Sequence, residues 1–273
     1  MLTDKQDYEK YQTLSGGSLY IELKSTLKLF IKEKKWLSLK EVARNTITLF
    51  PEEDFGWFAV GMALSRLGEY KAAVINLRKA LYLNPSMVSA DYQLGITFYR
   101  QRNYLKAIQH YKAALTNGMN TKYLHYNLGN VWYKLNHNEA AIQCYNNSLN
   151  ECSCFTPAAY GLFRIYFDKN NYQKAVSSLS SFISDGKLPI YLLSRAKLLY
   201  RNESEINPYN LRKALKLLSC AIDLDDSFAL AYYERAFVKS KLGDLEGFFR
   251  DRTTAFQLNA ELRKGHTFEL FSA

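Results

Sequence analysis

The residues to weigh first for chemistry are four cysteines and four histidines. Cys144, Cys152, Cys154 and Cys220 contain no C-x-x-C pair. Cys152 and Cys154 are separated by one serine, too close for an ordinary structural disulfide. No suitably spaced fourth ligand follows to make a zinc set with Cys144, Cys152 and Cys154. Reduced structural thiols are expected. His110, His125, His137 and His266 are scattered and form no H-E-x-x-H pattern, so neutral surface histidines are expected. There is no G-x-S-x-G elbow, G-x-x-x-x-G-K-[S/T] loop or G-x-G-x-x-G turn. Asp225 and Asp226 stand where a helix ends, and a capping role suffices for them. Nothing pairs a nucleophile with a base. The chain is therefore expected to be no enzyme, with no catalytic residue, no metal and no cofactor. What it does offer in quantity is aromatic rings, 21 Tyr and 16 Phe, beside a formal net charge of +10. Those are the materials of a binding surface.

Composition bounds the rest. Hydrophobic residues make up 48% and charged residues 23% of 273 residues, as in a soluble folded protein. Gly (13) and Pro (5) are few, which suits helices packed through aromatics better than a turn-rich β protein. No run of about 18 apolar residues occurs, so no transmembrane segment is expected. The N-terminal stretch is polar and has no apolar signal core, so a cytoplasmic location is expected, the alternative being a bacterial protein delivered to a host. Residues 1–150 carry 19 basic and 12 acidic groups, residues 151–273 carry 17 and 14. The excess favours acidic partners in general. Runs of the RGG or K/R-rich kind are absent, so nucleic acid is not expected as the main partner.

The stretch from Phe55 to Pro85 shows what positions these residues. Trp57, Val60, Gly61 and Leu64 lie at i, i+3, i+4 and i+7, one face of a helix. Gly68 interrupts the pattern. Ala73, Leu77 and Ala80 form a second stripe, which Pro85 closes because proline has no N–H for the ladder. Gly61, Ala73 and Ala80 let two antiparallel helices approach closely, with Trp57, Leu64 and Tyr70 filling the space around them. The pattern recurs: Gly61, Gly95 and Gly129 are 34 residues apart, as are Pro51 and Pro85.

This spacing resembles the tetratricopeptide repeat, a paired-helix module of a form common in bacteria. The resemblance covers about residues 20–260 and implies an all-α, right-handed solenoid of stacked antiparallel helix pairs. The organisation it implies is a flexible tail over 1–18, where Ser15-Gly16-Gly17-Ser18 is linker chemistry, then a solenoid over 19–260. Its repeats fall at about 20–53, 54–87, 88–121, 122–155, 156–188, 189–228 and 229–260. A capping segment over 261–273, with Leu262, Phe268, Leu270 and Phe271, is expected to cover the apolar end of the stack, or else to be a surface for self-association. Phe163 replaces the small residue of repeat five, which predicts splaying there. Six residues are inserted in repeat six around Glu203, Glu205 and Pro208, either a surface insertion or a flap that touches a partner.

In this family the first helices of successive repeats line a concave groove. Carried onto this chain, the groove-facing slots hold Tyr92, Tyr126 and Tyr160, a second row holds Tyr99 and Tyr133 beside Arg100, Lys134 and Arg201, and a third holds Asn130, Arg164 and Lys197, with Asn127 nearby. Such an aromatic ladder flanked by cations would suit a protein partner presenting an acidic or aromatic segment. The two-carboxylate clamp of chaperone-binding relatives is incomplete, because Asn127 and Asn130 lack the required neighbours at Tyr92, Ile96, Pro157 and Gly161. The expected function is a non-catalytic scaffold or adaptor that grips a peptide or helix of a partner. The alternative is a basic binder of nucleic acid or anionic membrane through Lys24, Lys28, Lys32 and Lys35, which form one stripe at spacings of 4, 4 and 3.

Overall fold

A computed structural model describes residues 16–182, 188–201 and 207–263. Among these the chain forms fourteen α-helices and one 3-10 turn. They fall into two compact units, divided after Glu151. The fold class is all-α, with the helices packed in successive pairs.

Unit 1 holds four pairs: α1 (Gly16–Glu33) with α2 (Trp36–Leu49), α3 (Asp54–Arg66) with α4 (Tyr70–Leu83), α5 (Val88–Arg100) with α6 (Tyr104–Thr116), and α7 (Lys122–Lys134) with α8 (Asn138–Glu151). The helix α1 opens at Gly16, so Gly16–Ser18 of the expected tail are helical. Three of these pairs, those with Gly61, Gly95 and Gly129, are closed by contact of backbone with a large side chain. A Cβ on Gly95 would lie 2.5 Å from the Tyr111 ring, and one on Gly129 would lie 2.7 Å from the Tyr145 ring. Both rings are buried. The absent side chain is what lets the tyrosine of the second helix lie against the first. Ala73, Ala80, Ala107, Ala114 and Ala141 are fully buried in the same seams.

The tight turn inside each of the first five pairs has one left-handed residue, and the backbone repeats with the sequence. Lys34, Gly68, Arg102, Asn136 and Asn170 all have φ between 56° and 87° and are spaced 34 residues apart. Glycine and asparagine accept this conformation cheaply; lysine and arginine do not. Side-chain caps then start several second helices: the Asn103 and Asn171 carbonyls accept from the N–H groups of Lys106 and Lys174.

Unit 2 holds α9 (Thr156–Asp168) with α10 (Tyr172–Leu179), α11 (Pro189–Arg201) with α12 (Pro208–Leu224), and α13 (Ala229–Lys241) with α14 (Leu245–Leu258). Phe163 is buried and stacks on Tyr160 and Phe167, each with ring centroids 5.8 Å away. Its partner helix α10 has only 8 residues, against 13 or more elsewhere. Phe248, 34 residues after Ala214, is fully buried under Arg252. Residues 264–273 of the expected capping segment, 202–206 of the repeat-six insertion and 1–15 of the tail lie outside the described residues.

Candidate functional site

In unit 1 the four first helices are neighbours in space. Helix α5 touches both α3 and α7, and α3 touches α1. Buried or half-buried hydrogen bonds join them: Thr97 Oγ1 donates to Ser65 Oγ at 2.9 Å, and Asn127 Nδ2 donates to Tyr92 Oη at 2.8 Å. Residues 34 apart therefore stand side by side. One row runs Lys24, Phe58, Tyr92, Tyr126; the next runs Lys28, Met62, Ile96, Asn130; a third runs Lys32, Arg66, Arg100, Lys134.

Lys24, Lys28 and Lys32 of the lysine stripe are thus part of this same face, not a separate surface; Lys35 lies beyond α1, at the start of α2, and pairs with Glu33 at 2.8 Å. Lys24 and Lys28 lie over the Phe55 ring of α3, at 5.3 and 6.0 Å from its centroid. The sequence treated the stripe and the aromatic ladder as rivals. The 34-residue register joining them was already legible.

The predicted residues divide into those that build the face and those that stand free on it. Tyr92 and Tyr126 are half-buried, with rings 5.9 Å from Tyr111 and 6.0 Å from Tyr145. Burial raises the Tyr92 hydroxyl above its ordinary pKa, against the opposing pull of Asn127 and Arg66. Asn127 ties α7 to α5 through its bond to Tyr92, and Asn130 accepts from Tyr145 Oη at 2.7 Å. Both asparagines are occupied in holding helices together. Tyr99 packs beside Tyr104 at 5.8 Å, and Tyr133 is half-buried. Arg100 Nη1 donates to the Ser65 carbonyl at 2.7 Å, so it too braces α5 on α3. Arg66 sits 5.2 Å over the Trp36 ring, and Lys134 is exposed. The Arg66 guanidinium is lowered from its ordinary pKa, first by partial desolvation on that ring and then by the nearby charge of Arg100, although the residue as a whole is exposed. Among the described residues, none of Lys32, Arg66, Arg100 and Lys134 is paired with a carboxylate.

Unit 2 treats the matching residues differently. Tyr160 is 42% exposed and Arg164 half-buried. Lys197 is buried, with Nζ 2.6 Å from Glu234 Oε1 and 3.3 Å from Tyr172 Oη. The Tyr200 hydroxyl donates to Glu234 Oε2 at 2.5 Å. Lys197 therefore does not stand on a binding face as the sequence suggested: the chain supplies its own counter-ion. Glu234 was not singled out from sequence, and its signal was that it is the one acid in a helix that also carries Arg235, Lys239 and Lys241. Arg201 closes α11, and its side chain lies outside the described residues. A second buried acid, Asp251, takes Arg235 through two bonds, 2.7 and 2.8 Å, and Lys239 at 2.9 Å. Burial alone raises Asp251, but these cations outweigh it and hold the carboxyl below its usual range.

The histidines and cysteines are mostly absorbed by packing. His110 Nδ1 is 2.9 Å from Asp91 Oδ1 and its ring stacks on Phe98, and His125 Nε2 is 2.6 Å from Asn120 Oδ1. They are not the surface histidines the sequence implied. His137 is exposed, and His266 lies outside the described residues. Cys144 is buried, which pushes its thiol up to about 11. Cys152 Sγ and Cys154 Sγ meet at 3.2 Å in the turn before α9. Among the described residues no three His, Cys, Asp or Glu side chains gather as a metal would need, and no helix is long and apolar enough to cross a membrane.

Comparison with known proteins agrees with this geometry. Residues 58–122 match the family model described as tetratricopeptide repeat. Among solved structures, the C-terminal part of a tetratricopeptide repeat-containing protein from Cytophaga hutchinsonii aligns with a TM-score of 0.68 at 15% identity, covering 88% of this chain and 97% of that one. PilF of Pseudomonas aeruginosa aligns at 0.58 and 15% identity, covering 87% and 98%. A tetratricopeptide repeat protein from Parabacteroides merdae aligns at 0.56 and 18% identity, covering 90% and 96%. No curated protein matches significantly. The repeated helix pairs and these neighbours give the chain the tetratricopeptide-repeat fold, and residues 58–122 match that family's model. Its fold is that of the helical-repeat solenoids, which serve in general as protein-interaction scaffolds.

Proposed function

We propose that the chain is a non-catalytic adaptor whose first-helix face in unit 1 grips a peptide segment of a partner protein. The observation that carries this reading is a run of cations without counter-ions, Lys32, Arg66, Arg100 and Lys134, set beside Tyr92, Tyr99, Tyr126 and Tyr133. Cations without counter-ions beside half-buried tyrosines gain from a guest that brings carboxylates, and the tyrosines offer it rigid apolar contact with polar tips. The lysine stripe of α1 belongs to the same site, so a nucleic-acid or membrane surface would have to use these cations as well.

The test is selection of displayed peptides on the wild-type protein and on Arg66→Glu/Lys134→Glu. These two positions are chosen because neither side chain hydrogen-bonds a neighbouring helix, Arg66 only lying over the Trp36 ring of α2, whereas Arg100 donates to the Ser65 carbonyl of α3. Peptides enriched on the wild type and lost on the variant support the reading. Equal enrichment on both sinks it. Stronger retention of polyuridylate or of phosphatidylserine vesicles than of any selected peptide favours the alternative.

A further inference from the structure

We infer that this face recognises its guest by the interval between carboxylates: an extended segment with an acidic residue at about every third position. The inference rests on the reading of the face as a peptide site and adds what the peptide must look like. Lys32, Arg66, Arg100 and Lys134 recur every 34 residues, so each occupies the same slot on a successive first helix. Those helices are packed neighbours, joined by bonds such as Thr97 to Ser65 and Asn127 to Tyr92. Packed helices lie about 8–10 Å apart, which sets the step between charges. An extended chain advances about 3.3 Å per residue, so three residues cover one step. Four cations make three steps, a span matched by about ten extended residues. A helical guest rises about 1.5 Å per residue and would need roughly twenty, with twice the chain to order.

The chain itself shows what these cations lack. In unit 2 the matching face carries Glu234, which sits against Lys197 and Tyr200 and leaves that charge compensated. In unit 1 no carboxylate is paired with these four cations among the described residues, Asp91 of α5 being taken by His110, and Arg66 and Arg100 stand close enough for one to disfavour the charge of the other. An acid placed between them relieves that repulsion. The next residue in the register after Lys134 is Asp168, of opposite sign, so the run of like charge is confined to the four helices of unit 1.

The experiment compares synthetic peptides by fluorescence anisotropy on the full chain. Two have identical composition, one with Glu at every third position and one with the same Glu residues in a single block. A third, helix-forming peptide carries Glu at every seventh position. The third-position peptide is expected to bind about tenfold or more tightly than the block peptide, roughly one charge-assisted contact, and to lose a similar factor on Arg66→Glu and on Lys134→Glu. The gap should shrink as salt is raised. Equal binding of the first two peptides, or tighter binding of the third, overturns the interval. If interval has no effect yet Arg66→Glu weakens every peptide, the face reading survives alone. If neither variant weakens any peptide, the face reading falls too. Displacement of the peptides by polyuridylate or phosphatidylserine vesicles at lower concentration also overturns the inference.

Discussion

Replacing Lys197 by methionine separates a structural from a binding role at a position where sequence and structure point different ways. Its side chain is 8% exposed and that of Glu234 is 4% exposed, with Nζ and Oε1 only 2.6 Å apart. Removing the ammonium leaves the buried Glu234 carboxylate without its counter-ion while it still accepts from the Tyr200 hydroxyl. Breaking such a pair from one side costs about 3–5 kcal/mol, because the surviving charge stays desolvated. For a unit of this size that is a fall of roughly 12–20 °C in melting temperature. Removing both charges is a different perturbation. Lys197→Met/Glu234→Met loses the ion pair but also its desolvation cost, and loses the Tyr200–Glu234 hydrogen bond, about 1 kcal/mol. The double variant should therefore melt well above Lys197→Met. Thermal unfolding followed by circular dichroism on the wild type and the three variants reads this directly. A Lys197→Met melt within 3 °C of wild type, or a double variant no better than the single one, would refute the assignment and return Lys197 to the binding face.

Four further outcomes follow from the same packing. Gly95→Ala should destabilise by about 1–3 kcal/mol, since the new Cβ meets a fully buried Tyr111 ring at 2.5 Å, whereas Gly17→Ala, with nothing within 4 Å, should be neutral or slightly stabilising; urea midpoints compare the two. Arg102→Gly should stabilise by about 0.5–1 kcal/mol, because φ there is 59° and the side chain is exposed; the same melt tests it. Stability should decline on the acid side in two phases. Burial lowers His125 below its ordinary value, so its contribution is present above about pH 6.5 and is lost as pH falls through its depressed pKa. Asp251 is likewise depressed, and its contribution goes below about pH 4; melts against pH for the wild type and His125→Gln should show only the first phase removed. Finally, Cys154 and Cys220, both exposed, should react with a thiol reagent at pH 8 well before buried Cys144, which mass spectrometry of the alkylated protein resolves.

Much of the fold is written in single residues. Gly61, Gly95 and Gly129 announce close approach because nothing but glycine leaves room for the Leu77, Tyr111 and Tyr145 side chains. Their 34-residue interval gives the helix pair and its repetition without any knowledge of contacts. The left-handed turn residues were less readable. Gly68 marks its turn, but Lys34 and Arg102 adopt the same conformation with no compositional signal, held by the register of their neighbours.

The sequence by itself determined the helix period, the rows of equivalent residues and the sign of the charge along them, because those depend only on which residue types recur at which interval. Tertiary structure decided which of the charged side chains remain available. Lys197 and Arg66 look alike as cations on first helices, yet one is buried against Glu234 and the other is left without a carboxylate. That difference depends on whether a neighbouring helix brings an acid within about 3 Å, a distance set by packing rather than by spacing along the chain.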